Sequence, residues 1–189
     1  MSLTIRPLTA DRWPALEDLF DTKGACNRCW CMYWRIGAAY RRVPREENKA
    51  SFREIVKRGP PPGLLAFDGD VAVGWCQLTP RDALPWLDRE WRLKGLDHTP
   101  VWSISCFYVR AGYRKQGVTS GLIAAAVKAA KRAGAIALEA YPLDAKKTTS
   151  TSFTGYLTTF ERAGFRTAGC HVPQRPILRH DLRKIPRHL

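Results

Sequence analysis

The chain has 189 residues, 45% hydrophobic and 25% charged, a balance that fits one globular domain with a core of its own. Lys and Arg number 31 against 17 Asp and Glu, a formal charge of +14, which favours an anionic partner without choosing among nucleic acid, a phosphate-rich cofactor and an acidic substrate. The longest apolar run falls far short of a membrane span, no charged-then-apolar leader opens the sequence, and the cysteines form no secreted framework, so a cytoplasmic location without membrane contact is expected.

Leu3-Thr4-Ile5-Arg6 reads as a short first strand. Thr9 or Asp11 can cap a helix whose stripe is Trp13, Leu16, Leu19 and Phe20. Residues 21–44 read as irregular and aromatic around CNRCWCMYWR. A second helix is expected over 45–58, with Phe52, Ile55 and Val56 inward, stopped by Pro60-Pro61-Pro62. Residues 64–67 and 71–75 flank Asp68-Gly69, a hairpin signal. Residues 80–99 form a long connection rich in Trp, Pro and charge.

A strand follows over 101–109, then a basic turn, then a helix to about Ala133 with Leu122, Ile123, Ala126, Val127 and Ala130 at helical spacing and Gly134 at its stop. Residues 135–141 read as a strand, 142–152 as a polar connection, 153–163 as a short helix ending at Gly164, and 165–171 and 176–182 as two last strands. The order β-α-α-β-β-β-α-β-α-β-β describes a mixed α/β domain without internal repeats. All 7 tryptophans fall at or before Trp102. The first half is therefore expected to build a specific wall and the second to hold a common ligand.

The turn Arg114-Lys115-Gln116-Gly117-Val118-Thr119 carries the sharpest chemical signal. A helix start offers unpaired N–H groups and the positive end of a macrodipole, and a glycine lets an anion approach the backbone. The turn lacks Gly-Lys-Ser/Thr and G-x-G-x-x-G, and the chain has no G-x-S-x-G elbow. It matches R/Q-x-x-G-x-G/A after a strand ending in valine.

With Phe107-x-Val109 before this turn, an Ala-rich helix after it, a strand at 135–141 and Phe160-Glu161-Arg162-Ala163-Gly164-Phe165 beyond, the chain resembles the GNAT superfamily of N-acetyltransferases. The resemblance is sharpest from Ile104 to Phe165. It implies one domain over 1–189: an α/β fold with a central mixed, mostly antiparallel sheet, splayed neighbouring strands and flanking helices. An acceptor-side half would cover about 1–100 and an acetyl-CoA-binding half about 101–189. Acetyl-CoA would lie between the strands at 101–109 and 135–141. Its pantetheine arm would pair near Phe107 and Val109, and its pyrophosphate would rest on the N–H groups of Arg114, Lys115, Gln116, Gly117, Val118 and Thr119. Thr119 stands where glycine or alanine is usual, and the first helical turn would tolerate it.

The implied reaction is direct attack of an amine on the thioester, with the Val109 N–H receiving the oxyanion. Phe160 occupies the position where many members carry a tyrosine acid. Tyr156, one turn earlier, is the substitute, competing with a packing role. Glu139 is the carboxylate nearest the expected cleft and the candidate base, competing with an arginine-paired role; Asp97, His98 and Asp144 are weaker. Cys26-x-x-Cys29-x-Cys31 lacks a second ligand pair, so no metal is expected. With Trp30, Met32, Tyr33 and Trp34 it reads as acceptor-channel wall or as core. Trp86 and Trp91 read as pocket wall or loop anchors.

The acceptor is expected to be an amine on a small molecule, peptide or protein; its identity and the oligomeric state are not legible. The same fold could carry another acyl group. A CoA-binding domain without catalysis and a basic nucleic-acid-binding protein are the alternatives, the second disfavoured because no binding motif accompanies the scattered arginines.

Overall fold

Apolar residues that alternate along the strands give one sheet two buried faces. The computed structural model describes residues 3–21, 28–148 and 153–183. In chain order the elements are β1 (Leu3–Pro7), α1 (Trp13–Asp21), the single turn α2 (Tyr33–Ile36), α3 (Arg45–Arg58), β2 (Gly63–Asp68), β3 (Val71–Pro80) and the single turn α4 (Trp86–Arg89). Then come β4 (Trp102–Val109), α5 (Val118–Arg132), β5 (Ala137–Ala140), α6 (Leu157–Arg162), β6 (Arg166–Val172) and β7 (Arg175–Asp181). The strands form one 7-stranded sheet in the order β1-β2-β3-β4-β5-β7-β6. Only the β4–β5 pair is parallel, as expected for a mixed, mostly antiparallel sheet.

Leu65 and Phe67 of β2 and Trp75 of β3 pack with Trp13, Leu16, Leu19 and Phe20 of α1 and Phe52 and Val56 of α3. Leu64, Ala66 and Val73 face the opposite side, against Val118, Leu122, Ile123, Ala126 and Ala130 of α5 and Phe160 of α6. Period two in the strands and period 3.6 in the helices thus produce helix, sheet and helix layers. Among the described residues no helix is long and apolar enough to cross a membrane.

Several elements differ from the sequence expectation for local reasons. Thr9 takes the extended cap position before the 3-10 turn Ala10–Arg12 that leads into α1. Its hydroxyl accepts from Arg12 Nη1 at 2.6 Å instead of from a helix N–H. The β2–β3 hairpin forms, but Asp68 pairs with Val71, so Gly69 and Asp70 make the turn, with Gly69 at φ +58°. The helix expected from 153 begins only at Leu157. Gly155 is left-handed at φ +82° and Tyr156 is extended. The Leu143 N–H donates to the Gly155 carbonyl at 3.0 Å and the Leu157 N–H to the Leu143 carbonyl at 2.9 Å, which draws this segment out of helix.

One irregularity positions the site. β4 pairs with β5 only through Trp102–Leu138, Ser103–Glu139 and Ile104–Ala140. On its other edge Gln77 faces Cys106 while Leu78 faces Ile104, leaving Ser105 as the extra residue of a bulge. Trp102 and Ile104 pack with the α5 layer before the bulge, and Phe107 and Val109 do so after it. Ser105 and Cys106 therefore both end on the opposite face.

Close approach of α5 depends on Gly74 in β3. A Cβ there would sit 2.6 Å from Val118 Cγ1 and 3.2 Å from Leu122 Cδ1. Gly74→Ala is expected to destabilise the fold by about 1–3 kcal/mol through overpacking, lowering the thermal midpoint by about 2–4 °C per kcal/mol. Gly112→Ala, whose added carbon meets nothing within 4 Å, should leave the midpoint unchanged in the same melts.

Candidate functional site

The bulge at Ser105 anchors a buried polar ladder. Ser105 Oγ donates to Gln77 Oε1 at 2.9 Å, and Gln77 Nε2 donates to the Cys31 carbonyl at 3.2 Å. Trp34 Nε1 of α2 donates to the Ser105 carbonyl at 2.9 Å. A buried polar group left without a partner is costly, so these bonds hold the aromatic segment around α2 over the middle of β4. Between them lies a cavity of about 310 Å³ with Ser105, Cys106, Phe107 and Tyr108 along one wall. Phe20, Tyr33, Trp34 and Tyr40 add aromatic surface, and Phe153 and Thr154 border it beside Phe107.

Charged groups reach the same cavity. Arg41, Arg92, Arg175 and Glu90 belong to its lining. Glu90 is bound by Arg92 through both oxygens, at 2.7 and 2.9 Å, and this hydrogen bonding lowers its pKa. Arg175 donates to Thr154 Oγ1 at 3.1 Å, and burial lowers the pKa of its guanidinium. Cys29, Cys31 and Cys106 also line the cavity. The Cys31 thiol is pushed up by its hydrogen bond with Cys106 and by burial, so it is no ready nucleophile. Cys26 lies outside the described residues. Among the described residues no three His, Cys, Asp or Glu side chains group to hold a metal ion.

The basic turn sits past the end of β4. Lys115 at φ +62° and Gly117 at φ +83° turn the chain left-handed into α5. A Cβ at Gly117 would meet nothing within 4 Å, so the backbone angle requires glycine and the space beside it is open. Gly121 N–H makes the first helical bond to the Gly117 carbonyl at 2.9 Å, leaving the N–H groups of Val118, Thr119 and Ser120 at the exposed helix start. Thr119 lies in this first turn of α5, where a side chain is tolerated. The Gln116 side chain braces the turn by donating to the Gly112 carbonyl at 2.7 Å, and Arg114 Nε donates to the Val109 carbonyl at 3.3 Å. The Val118 side chain is core, 2% exposed.

The open edge of β4 is partly used by the chain itself. The Phe107 N–H donates to the Phe153 carbonyl at 2.5 Å. Strand alternation points the Val109 N–H to the same edge, since the intervening register faces β3, where Arg110 N–H meets the Val73 carbonyl.

The candidate acid and base do not converge on this cavity. Tyr156 is 39% exposed and lies outside the lining; Phe160 is buried between Phe107 and Phe165. Glu139 is 1% exposed and clamped by Arg81 at 3.1 Å, Arg179 at 2.8 Å and the Tyr141 hydroxyl at 3.0 Å. Both of its oxygens carry a guanidinium, the geometry of its arginine-paired role rather than of a base open to a substrate. Asp97 holds the outer side of Arg179 through both oxygens, and Asp144 caps its own turn at Lys146 N. His98 lies in a separate cleft with Asp97. Trp86 packs with Leu84, Leu87 and Tyr141, and Trp91 is 64% exposed; neither lines the cavity.

Comparison with known proteins adds the following. The model of the Acetyltransferase (GNAT) family matches residues 26–148. An N-acetyltransferase from Staphylococcus aureus Mu50 is 16% identical, with 97% of this chain and 100% of that chain covered and a TM-score of 0.58. The yncA protein of Salmonella typhimurium, solved with its cofactor acetyl-CoA, is 15% identical over 98% and 97% at 0.56. The ribosomal-protein-S18-alanine N-acetyltransferase of Escherichia coli is 14% identical over 100% and 99% at 0.54. At these identities the likeness is one of fold. No curated protein matches the sequence.

Two measurements test the Glu139 network. Glu139→Gln leaves buried guanidiniums short of counter-charge, and since Asp88 and Asp97 still pair with them the loss should fall at the lower end of about 3–5 kcal/mol. It should appear in thermal melts. Asp97 titrates below its ordinary 3.8 because Arg179 hydrogen-bonds its carboxylate. Its stabilisation is then complete above about pH 4 and lost as pH falls through the lowered value. The thermal midpoint should drop on acidification, and drop less in Asp97→Asn.

Proposed function

The chain belongs to the Acetyltransferase (GNAT) family, and we propose that it moves the acetyl group of acetyl-CoA to a primary amine by direct attack on the thioester. One observation carries this reading. Past Ile104 the edge of β4 leaves β5, with the left-handed turn and the start of α5 beyond its end and an aromatic cavity against Ser105–Tyr108. A long anionic thioester laid along that edge would have its phosphates at the positive helix end and its acyl group at the cavity. The same fold carries acetyl-CoA in the Salmonella protein.

In this reading the N–H groups of residues 114–119 receive the pyrophosphate, with Arg114 and Lys115 adding charge. The pantetheine arm pairs with β4 at Phe107 and Val109, and pairing at Phe107 requires the Phe153 carbonyl to give up that N–H. The Val109 N–H donates to the developing oxyanion. The amine nitrogen forms the N–C bond to give the tetrahedral oxyanion, whose collapse restores the C=O and breaks C–S. The ammonium proton leaves to water, and the thiolate departs unaided because a thiol pKa of about 8.5 makes it a fair leaving group. Glu90, the one carboxylate among the described lining residues, is held by Arg92 with its pKa lowered, and so makes a poor base.

Calorimetric titration with acetyl-CoA tests the cofactor turn. Gly117→Glu should weaken binding by more than about tenfold, since a side chain and a negative charge enter the phosphate site at a backbone angle suited to glycine. Unchanged affinity would remove the ligand from this turn. With water as proton acceptor, kcat/KM should rise about tenfold per pH unit up to the pKa of the acceptor amine. A plateau beginning near pH 6 would instead assign a protein base. Binding without thiol release from any amine would reduce the protein to a CoA-binding domain.

A further inference from the structure

The acceptor cavity has an excess of positive charge at one end. Arg41 follows α2, Arg92 belongs to the connection before β4, and Arg175 opens β7, yet all three line the same space. Each lies within electrostatic reach of the Tyr33 phenol, so three distant segments converge there. Arg92 occupies both oxygens of Glu90, which attracts Arg175 only through space, so among the described lining residues three cations share one carboxylate. Arg41 Nε donates to the Tyr40 hydroxyl at 3.2 Å, with its guanidinium 5.6 Å from that ring. Among the described residues Arg175 Nη1 reaches neutral oxygens, Thr154 Oγ1 at 3.1 Å and the Tyr141 carbonyl at 3.4 Å.

The half-buried arginines elsewhere in the sheet are treated differently. Arg81 has Glu139 and Asp88, and Arg179 has Glu139 and Asp97. Arg175 is withdrawn from solvent as Arg81 is, but in charge it feels the repulsion of Arg92 more strongly than the attraction of Glu90. Desolvating a cation without a counter-ion is unfavourable unless a ligand supplies one. A guanidinium fork matches a carboxylate, bidentate and planar. The remaining walls, Phe20, Trp34 and Tyr108 among them, are apolar, and the space of about 310 Å³ lies at the small end of ligand sites.

We propose that the acceptor is a single amino acid or a close analogue with an apolar or aromatic side chain. Arg175 and Arg41 hold its carboxylate, the aromatic wall takes its side chain, and its amine points to the β4 edge at Ser105–Phe107. The proposal rests on the acetyltransferase reading and deepens it by naming the substrate class; the exchange of C–S for N–C is unchanged. It also separates the two anion sites of the molecule, phosphates on the turn before α5 and carboxylate in the cavity.

Calorimetry with two product-like probes tests it without requiring turnover. N-Acetylphenylalanine carries the carboxylate, and N-acetylphenethylamine is the same molecule without it. The acid should bind at least about tenfold more tightly to the wild type, as charge-assisted hydrogen bonds are worth. Arg175→Gln should remove that preference, leaving the affinity for the neutral probe and for acetyl-CoA unchanged. Equal affinities in the wild type, an equal loss for both probes in the variant, or no binding of either at millimolar concentration would each overturn the proposal. The wild-type comparison decides the matter by itself if the variant does not fold. Acetyl-CoA binding without preference for the acid sinks the substrate class and spares the transferase reading. Preference for the acid with acetyl-CoA silent does the reverse.

Discussion

The bulge at Ser105 is the constraint on which the site depends. A strand that kept its register would go on pairing with β5, and the sheet would be continuous. One extra residue in β4 instead bends and twists the strand away after Ile104. Three consequences follow together. The edge of β4 becomes available beyond the divergence, the side chains change faces, and the Ser105 carbonyl is presented to Trp34. The aromatic wall of the cavity is thus attached to the same residue at which β4 leaves β5.

Two polar networks on either side of that residue behave differently. At the paired end, Arg81, Glu139 and Arg179 satisfy one another, with Asp88 and Asp97 on the outside. Charges arranged in that way hold β4, β5, β7 and the long connection after β3 together and have no capacity left for proton transfer. At the open end the bonds among Ser105, Gln77, Cys31 and Trp34 are neutral, and three cations with one carboxylate, Glu90, stand at the cavity among the described residues. The buried carboxylate next to the expected cleft is thus enclosed by arginines at the paired end of the strand, away from the cavity at its open end.

The net charge of +14 gains a physical location from this arrangement. Part of it belongs to Arg114 and Lys115 at the exposed turn, part to the arginines of the cavity. The cavity also draws on both halves of the chain, since Thr154 and Arg175 line it together with Tyr33 and Arg41.

The sequence by itself determined the layers. The apolar run of residues 64–67 before a turn signal, period 3.6 in α5 and the glycine at 117 are local signals, readable because backbone preference and side-chain direction act over a few residues. The left-handed turn into α5 was legible for the same reason. The apolar phase of β4 even carried a trace of the bulge, with Trp102 and Ile104 on one parity and Phe107 and Val109 on the other. Only the tertiary structure decided what Glu139 does, because its partners Arg81 and Arg179 lie 58 and 40 residues away. The same holds for Arg175, which looks like a solvated surface charge until folding half-buries it and brings it to one cavity with Arg41 and Arg92. No local pattern announces a long-range convergence of single side chains. Burial, which sets the electrostatics of such a group, exists only once distant segments have packed around it.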